Sequence, residues 1–380
     1  MKTEIKGNYV IAGEEAVDAL YETGGFGRPR DGSLQLRLTE AAYLLSRDKI
    51  EIFRNGGKLD FDSFIQFAAR QEDFFELKYI VYRDLKERGY YVQSSATDFR
   101  VYPRGGKPGK TAAKSYVFVR SERKPVLVTE LTALMSEAEN VRKQFILAVV
   151  DEESDITYYD VKRADAVNKF EGGMPFSFPP EALGNKTAAN ADANDGAKAD
   201  ANTDTNTAAN AVLFKERVLL ADKDIANALY NKTFFGKMMD DERLLLSLPE
   251  ALYLAEKGVL KLSDIEGRAL TNEAFFEQAA RIDAEFEKKY TVYKELKERG
   301  FVPKTGFKFG THFRVYRKIE TLDTIPHSEF LLHVISQDHE FKLPVTSGAI
   351  RLANSVKKRM IYAADFGNRL EYIEFERIKM

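Results

Sequence analysis

All four histidines of this 380-residue chain, His312, His327, His333 and His339, fall within one short stretch near its end. Imidazole titrates near ~6.5, so such a cluster suits proton transfer at neutral pH. The other reading of the cluster is four incidental core or surface residues. Cysteine is absent, which removes thiolate nucleophiles, disulfides and Cys-ligated zinc. Side chains alternate between the two faces of a strand. In HFRVY, Phe313 and Val315 share one face, while His312, Arg314 and Tyr316 share the other. In HSEFLLHV, Ser328, Phe330, Leu332 and Val334 oppose His327, Glu329, Leu331 and His333. Tyr316 and His327 therefore both leave the more apolar face. His327, Glu329 and His333 make only a weak metal site at that spacing, so neither a metal nor a cofactor is expected. Downstream, Arg351, Ser355 and Lys358 recur at i, i+4 and i+7, on one side of an expected helix. Taken singly, Tyr316 reads as a half-buried strand tyrosine and Lys358 as a solvated helix residue.

These groups belong to the second of two copies of one unit. YIVYRDLKERG (from Tyr79) and YTVYKELKERG (from Tyr290) agree at eight of eleven positions. ALYETGGFG (from Ala19) resembles ALYNKTFFG (from Ala228), and LTEAAYLL (from Leu38) resembles LPEALYLA (from Leu248). DFRVY (from Asp98) matches HFRVY, and NVRKQFILA (from Asn140) matches SVKKRMIYA (from Ser355). An offset that stays near 209–215 residues throughout marks a duplication. Residues 184–211, nearly all Ala, Asn, Asp, Thr, Gly and Lys, read as a flexible linker, since they offer too little apolar surface to offset the entropy of ordering.

Each copy opens with short strands and helices. A long charged helix follows, Phe61–Arg88 or Thr271–Arg299, stopped by Gly89 or Gly300. Strands then alternate with one helix: HFRVY and EFLLHVI, a helix within Val345–Ala363, and EYIEFERI. The fold class is therefore α+β, a tandem duplication with two subdomains per copy. The expected divisions are 1–89 and 90–183 for the first copy, 184–211 for the linker, and 212–300 and 301–380 for the second copy.

Net charge is −2, so a strongly basic nucleic-acid-binding chain is not indicated overall. Charge is clustered, however: Asp151, Glu152, Glu153 and Asp155 on one side, Lys304, Lys308, Arg314, Arg317 and Lys318 on the other. A local basic surface binds phosphate whatever the total charge. No apolar run nears the ~20 residues that span a bilayer, and the start has no apolar signal core. A soluble, cytoplasmic protein without a membrane partner is the expectation.

GFKFGTHFRVY, then HSEFLLHV, then RLANSVKK closely resemble the catalytic domain of archaeal tRNA-splicing endonucleases. That family pattern is a Tyr ending a KFGxxFRxY strand, a His opening an HSxxLV strand and a Lys ending an SVRK segment. The resemblance covers both copies apart from the linker and its approach. It implies a nuclease subdomain related to restriction-endonuclease α/β domains, and a precursor tRNA substrate cut at bulge–helix–bulge junctions. It further implies attack of a 2′-OH on the adjacent phosphate without metal, giving 2′,3′-cyclic phosphate and 5′-OH ends. The carried-over roles are Tyr316 as base, His327 as acid and Lys358 as electrostatic stabiliser, a division that such a reaction requires. A phenol near ~10 needs neighbouring cations to serve as a base, and Lys358 and Arg314 could supply them. Arg351 and Arg377 resemble the arginines that sandwich an extruded base, with Arg369 a rival for the second place.

The first copy keeps Tyr102 and Lys143, and the local match AKSYVFV sets Lys114 at the histidine position, a poor proton donor. The resemblance therefore implies a non-catalytic scaffold copy. Its turn from Asp151 to Asp155 resembles the acidic loop that docks into a basic pocket of a neighbouring catalytic unit. The implied assembly is a homodimer with four units and two active sites. The loop Pro103–Lys114 departs from the simplest members, and its Lys107 and Lys110 are candidates for RNA phosphates. The long linker and near-complete first copy resemble the three-unit form found in very small archaea. Two other readings stay open: a non-cleaving RNA-binding module of the same fold, and a DNA nuclease, for which the matched segments lack carboxylate metal ligands.

Overall fold

In the computed structural model, the described residues are 1–95, 97–168, 208–317, 319 and 326–380. Most of the expected linker and Lys318 lie outside them. The linker's last residues do not belong to a linker. Ala209–Leu213 form a strand that pairs in parallel with Leu260–Ser263, because small Ala209 and Ala211 alternate inward into the core.

The chain divides into two compact units. The first holds Met1–Ala164 with Gln337–Ile361 and Tyr372–Met380; the second holds Asp165–Ser336 with Tyr362–Glu371. The C-terminal elements of the second copy thus pack with the first copy.

Duplication is visible in the topology. The first unit opens with a six-stranded sheet in the order Arg28–Arg30, Ser33–Arg37, Tyr9–Ala12, Lys2–Lys6, Glu51–Arg54 and Gly57–Leu59. The second unit repeats that order with Lys237–Met238, Leu244–Leu246, Val218–Leu220, Ala209–Leu213, Leu260–Ser263 and Ala269–Leu270. One helix differs between copies: Val17–Glu22 is wound as a π-helix, whereas Lys223–Thr233 is an α-helix capped by Asp222.

The long charged helix expected in each copy is two helices. Phe61–Gln71 and Phe75–Glu87 meet at a corner where Glu72 is extended and Phe74 is left-handed. Asn272–Ile282 and Phe286–Glu298 meet at extended Asp283. The cause is local competition. Asp283 accepts the Glu285 N–H at 3.0 Å and binds Lys289 at 2.9 Å, and Glu72 binds Lys78 at 2.8 Å. The corner returns Phe75, Tyr79 and Tyr82, or Phe286, Tyr290 and Tyr293, to the core.

The nuclease-like part of the first copy is a sheet of Val92–Ser95, Asp98–Val101, Ser115–Ser121, Gln144–Val150 and Ile156–Arg163. Ser115–Ser121 and Gln144–Val150 run parallel and are joined across helix Val128–Asn140. In the second unit, Val302–Thr305, Phe313–Tyr316 and Phe330–Ser336 pair antiparallel in turn. Within the first unit the two copies are stitched by their last strands, Ile156–Arg163 against the end of Leu370–Ile378, with Tyr159 opposite Arg377. Val126–Leu127 pairs with Glu340–Phe341, and the Tyr159 hydroxyl meets Ser347 Oγ at 2.9 Å.

Candidate active site

Tyr316 ends its strand, as expected, but its face is not open. It is only 6 % exposed, covered by Val302, Ile319 and, from the N-terminal subdomain, Phe234. The face that Tyr316 shares with Arg314 therefore has a small apolar cluster of its own. Arg314 holds its guanidinium 5.7 Å from the Tyr316 ring centre.

The equivalent tyrosine of the first copy is tied down. The Tyr102 hydroxyl donates to Gln93 Oε1 at 2.8 Å, and Gln93 Nε2 donates to the Gly27 carbonyl at 3.3 Å. Gln93 stands opposite Arg100 in the strand register, and Lys304 stands opposite Arg314, so Lys304 occupies the Gln93 position. The Lys304 ammonium reaches the Gly236 carbonyl at 3.3 Å and Glu250 Oε1 at 3.0 Å. Burial pushes the Glu250 carboxyl up, but Lys304 and the Ser247 and Gly236 N–H groups outweigh it and hold the group below its usual range. Among the described residues no cation lies so close to Glu40, its counterpart, and burial pushes that carboxyl up. Lys304 was not singled out in the sequence beyond a basic cluster. Setting the strands before DFRVY and HFRVY side by side, where Gln93 faces Lys304, would have found it.

His327 is exposed and precedes its strand, which starts at Phe330. The Glu329 N–H donates to Val315 O at 3.1 Å and carries the pairing one residue further, so His327 lies two residues beyond the partner position of Tyr316. In the first copy the Lys114 N–H donates to Val101 O at 2.8 Å, which makes Lys114 the equivalent of Glu329 rather than of His327. Ala112 stands at the histidine position. The sequence match slipped by two, a shift that preserves strand alternation and so leaves no pattern error to notice.

His333 stacks on His312 with ring centres 4.2 Å apart and planes 12° from parallel. His312 Nδ1 accepts the Val334 N–H at 2.8 Å, as Asp98 Oδ2 accepts the Val119 N–H at 2.9 Å in the first copy. Burial pushes His312 down, against the pull of Glu285. His339 packs edge-on against Phe341. Among the described residues, no group of three or more His, Cys, Asp or Glu is placed to hold a metal ion.

Lys358 is not on a helix. Helix Leu343–Ser355 ends, Lys357 turns left-handed at φ 55°, and the Lys358 N–H closes on Ala353 O at 2.9 Å while the Lys357 N–H closes on Asn354 O at 3.0 Å. This is a Schellman cap with lysine in the place glycine favours. It moves Lys358 off the Arg351 face and into a buried place at the start of strand Arg359–Asp365. The first copy builds the same cap with Arg142 at φ 55°, and the Lys143 N–H meets Ala138 O at 2.8 Å. The correspondence of Lys143 with Lys358 is thus one of backbone geometry. Tyr316 and His327 belong to the second unit; Lys358, Arg351 and Arg377 belong to the first.

Arg351 and Arg377 are brought together. With Asp151, Asp155, Arg83 and Arg88 they line a cleft of about 540 Å³. Arg369, the rival, sits on a hairpin and pairs with Glu371 at 2.7 Å. The turn after Gln144–Val150 is shaped by Asp151, whose Oδ1 accepts the N–H of Glu153 at 3.0 Å and of Asp155 at 2.8 Å. Glu152 is paired with Arg123, and Glu153 is exposed. The basic loop is anchored rather than loose: Lys107 donates to the Glu22 carbonyl at 3.4 Å, Lys110 lies 3.8 Å from the Glu22 carboxylate, and Pro108 is buried. Among the described residues, no helix is long and apolar enough to cross a membrane.

Comparison with known proteins agrees with this doubled architecture. The family model for the tRNA intron endonuclease N-terminal domain matches residues 1–65 and 209–276, and that for the catalytic C-terminal domain matches 75–158 and 286–372. A tRNA-splicing endonuclease of Methanosarcina mazei is 51% identical over 380 residues, covering 100% of this chain and 99% of that protein. One of Methanosarcina acetivorans is 50% identical, with both chains covered in full, and one of Haloarcula marismortui is 31% identical over 391 residues, covering 100% and 99%. With each family domain matched once in each copy, the chain belongs to the tRNA intron endonuclease family.

Proposed function

We propose that this chain excises introns from precursor tRNA by cutting bulge–helix–bulge junctions without a metal ion. Tyr316 takes the proton from the attacking 2′-OH, His327 protonates the leaving 5′-oxygen, and Lys358 stabilises the charge that gathers on the phosphorane. The products carry 2′,3′-cyclic phosphate and 5′-OH ends. The observation that carries this reading is that only the second copy has an exposed histidine two residues beyond the partner position of its strand-end tyrosine, where the first copy has Ala112. The first copy then serves as scaffold. Arg351 and Arg377 stack on an extruded base, a contact that tolerates any base, and Lys107 and Lys110 reach RNA phosphates. Two chains associate through the Asp151–Asp155 turn of each first copy, giving a two-fold assembly with two active sites.

The test is cleavage of a bulged RNA in EDTA, with His327→Ala alongside. Cleavage to cyclic-phosphate ends, and a ~10²–10⁴-fold loss in the variant with RNA binding retained, is the expected result. An undiminished variant defeats the assignment of His327. A magnesium requirement points to a DNA-nuclease-like mechanism, and binding without cleavage to an RNA-binding module.

A further inference from the structure

The two tyrosines at equivalent strand ends have partners of opposite chemistry. Gln93 accepts the Tyr102 proton through Oε1 while its Nε2 donates to the Gly27 carbonyl. Lys304 Nζ donates to Gly236 O, the equivalent carbonyl, at the same 3.3 Å. The ammonium therefore stands where the Gln93 amide stands. An amide oxygen can accept a hydrogen bond from a phenol; an ammonium has three donors and no acceptor. Among the described residues, no hydrogen bond ties the Tyr316 hydroxyl to another group.

We propose that Lys304 is a positioning residue for Tyr316: it replaces the acceptor that keeps Tyr102 a phenol with a fixed cation that favours the phenolate, and so makes the second-copy tyrosine the one able to take a proton. The inference rests on the reading of Tyr316 as the base. One feature fixes the ammonium in place, and a second covers the Tyr316 ring. Glu250, 6 % exposed, binds it at 3.0 Å while spending its remaining capacity on the Ser247 and Gly236 N–H groups. Phe234, left-handed at φ 61°, packs on the Tyr316 cluster where the first copy has Gly25. The charges around this pair are Arg314 on the strand of Tyr316, Glu250 from the helix Leu248–Glu256, Lys297 from the helix Phe286–Glu298 and the Arg317–Glu329 pair. Tyr102, by contrast, is pushed up by burial, against the pull of Arg100 and Arg28.

Lys304→Gln writes the first copy's arrangement into the second, and the first copy demonstrates that the fold holds a glutamine there beside a buried glutamate. Two measurements decide. In single-turnover cleavage of a bulged RNA against pH, Lys304→Gln should be slower by about tenfold or more at neutral pH. Its rate should still climb where the wild type has levelled, and Lys304→Arg should restore most of the rate, with RNA affinity unchanged throughout. In ¹³Cζ-tyrosine NMR, with Tyr316 assigned through Tyr316→Phe, the Tyr316 midpoint should rise by about one pH unit or more in Lys304→Gln. A slower variant whose pH profile and Tyr316 midpoint match the wild type overturns the proposal and leaves Lys304 a structural role. A wild-type chain that does not cleave defeats the endonuclease reading instead, and the NMR comparison still decides the role of Lys304.

Discussion

Lys297 is 6 % exposed, a degree of burial rare for lysine, and its removal should stabilise the protein in a pH-dependent way. Burial pushes its ammonium down to about 7, with Lys304 adding to the shift and Glu250 opposing it. Relative to an unfolded lysine near ~10.4, that amounts to at most about 5 kcal/mol of penalty when the group is charged. The ammonium lies 4.1 Å from the Phe235 ring centre, which returns ~1–2 kcal/mol in a dry site. Lys297→Met keeps an unbranched side chain of similar length, and should stabilise by roughly 2–3 kcal/mol near pH 6. The folded state has the lower pKa, so between about 7 and about 10.4 it binds fewer protons than the unfolded state, and wild-type stability rises with pH across that window. Below the window the full penalty applies. The advantage of the variant should therefore be greatest near pH 6 and shrink steadily towards pH 9. Urea unfolding followed by far-UV circular dichroism at several pH values measures it, the chain having no tryptophan. A variant less stable than wild type by one constant margin at every pH would refute the reasoning, because it would mean that the site accommodates the charge without cost.

Three further outcomes are expected. Arg351→Ala and Arg377→Ala should each weaken binding of a bulged RNA by roughly tenfold, the scale of one lost base stack, while leaving fully paired RNA unaffected; fluorescence anisotropy with both RNAs reads this. Asp151→Asn combined with Asp155→Asn should move the protein from dimer to monomer on a sizing column, and a dimer that persists counts against the docking turn. Lys357→Gly should raise stability by about 1 kcal/mol, seen as a higher melting temperature, because glycine takes the left-handed cap position without a Cβ penalty.

Sequence pattern located the repeat, the strand carrying Tyr316 and the acidic turn, because these depend on period-two alternation and on identical strings. It lost information wherever backbone geometry breaks without breaking the pattern. The corner at Phe74 keeps apolar residues on a helical period on both sides, so nothing in the spacing marks it. Lys358 fits the i, i+7 face of Arg351 in sequence, yet a left-handed lysine two residues past the helix end carries it elsewhere. Lys114 slid onto the histidine position because a two-residue slip keeps every side chain on its proper face. Capping lysines and arginines in place of glycine removed the usual stop signal in both copies.

The difference between the copies lies in what surrounds two retained residues. Tyr102 and Tyr316 end equivalent strands, and Lys143 and Lys358 close equivalent caps. Counting tyrosines and lysines would therefore assign both copies the same competence. What differs is the chemistry of the neighbours: an amide acceptor or a cation on the neighbouring strand, an alanine or a histidine at the next strand's approach, and a glycine in the first copy where Phe234 packs on the Tyr316 cluster in the second. Proton transfer depends on the relative stability of two protonation states, and that is set by partners rather than by the titrating group alone. Restoring histidine at Ala112 should accordingly leave the first copy inactive, because the Tyr102 hydroxyl would still donate its hydrogen bond to Gln93. Only a double change that also puts lysine at position 93 replaces that acceptor with a cation. Cleavage by Ala112→His alone, in a chain whose second copy is silenced by His327→Ala, would show that the histidine was the sole missing part.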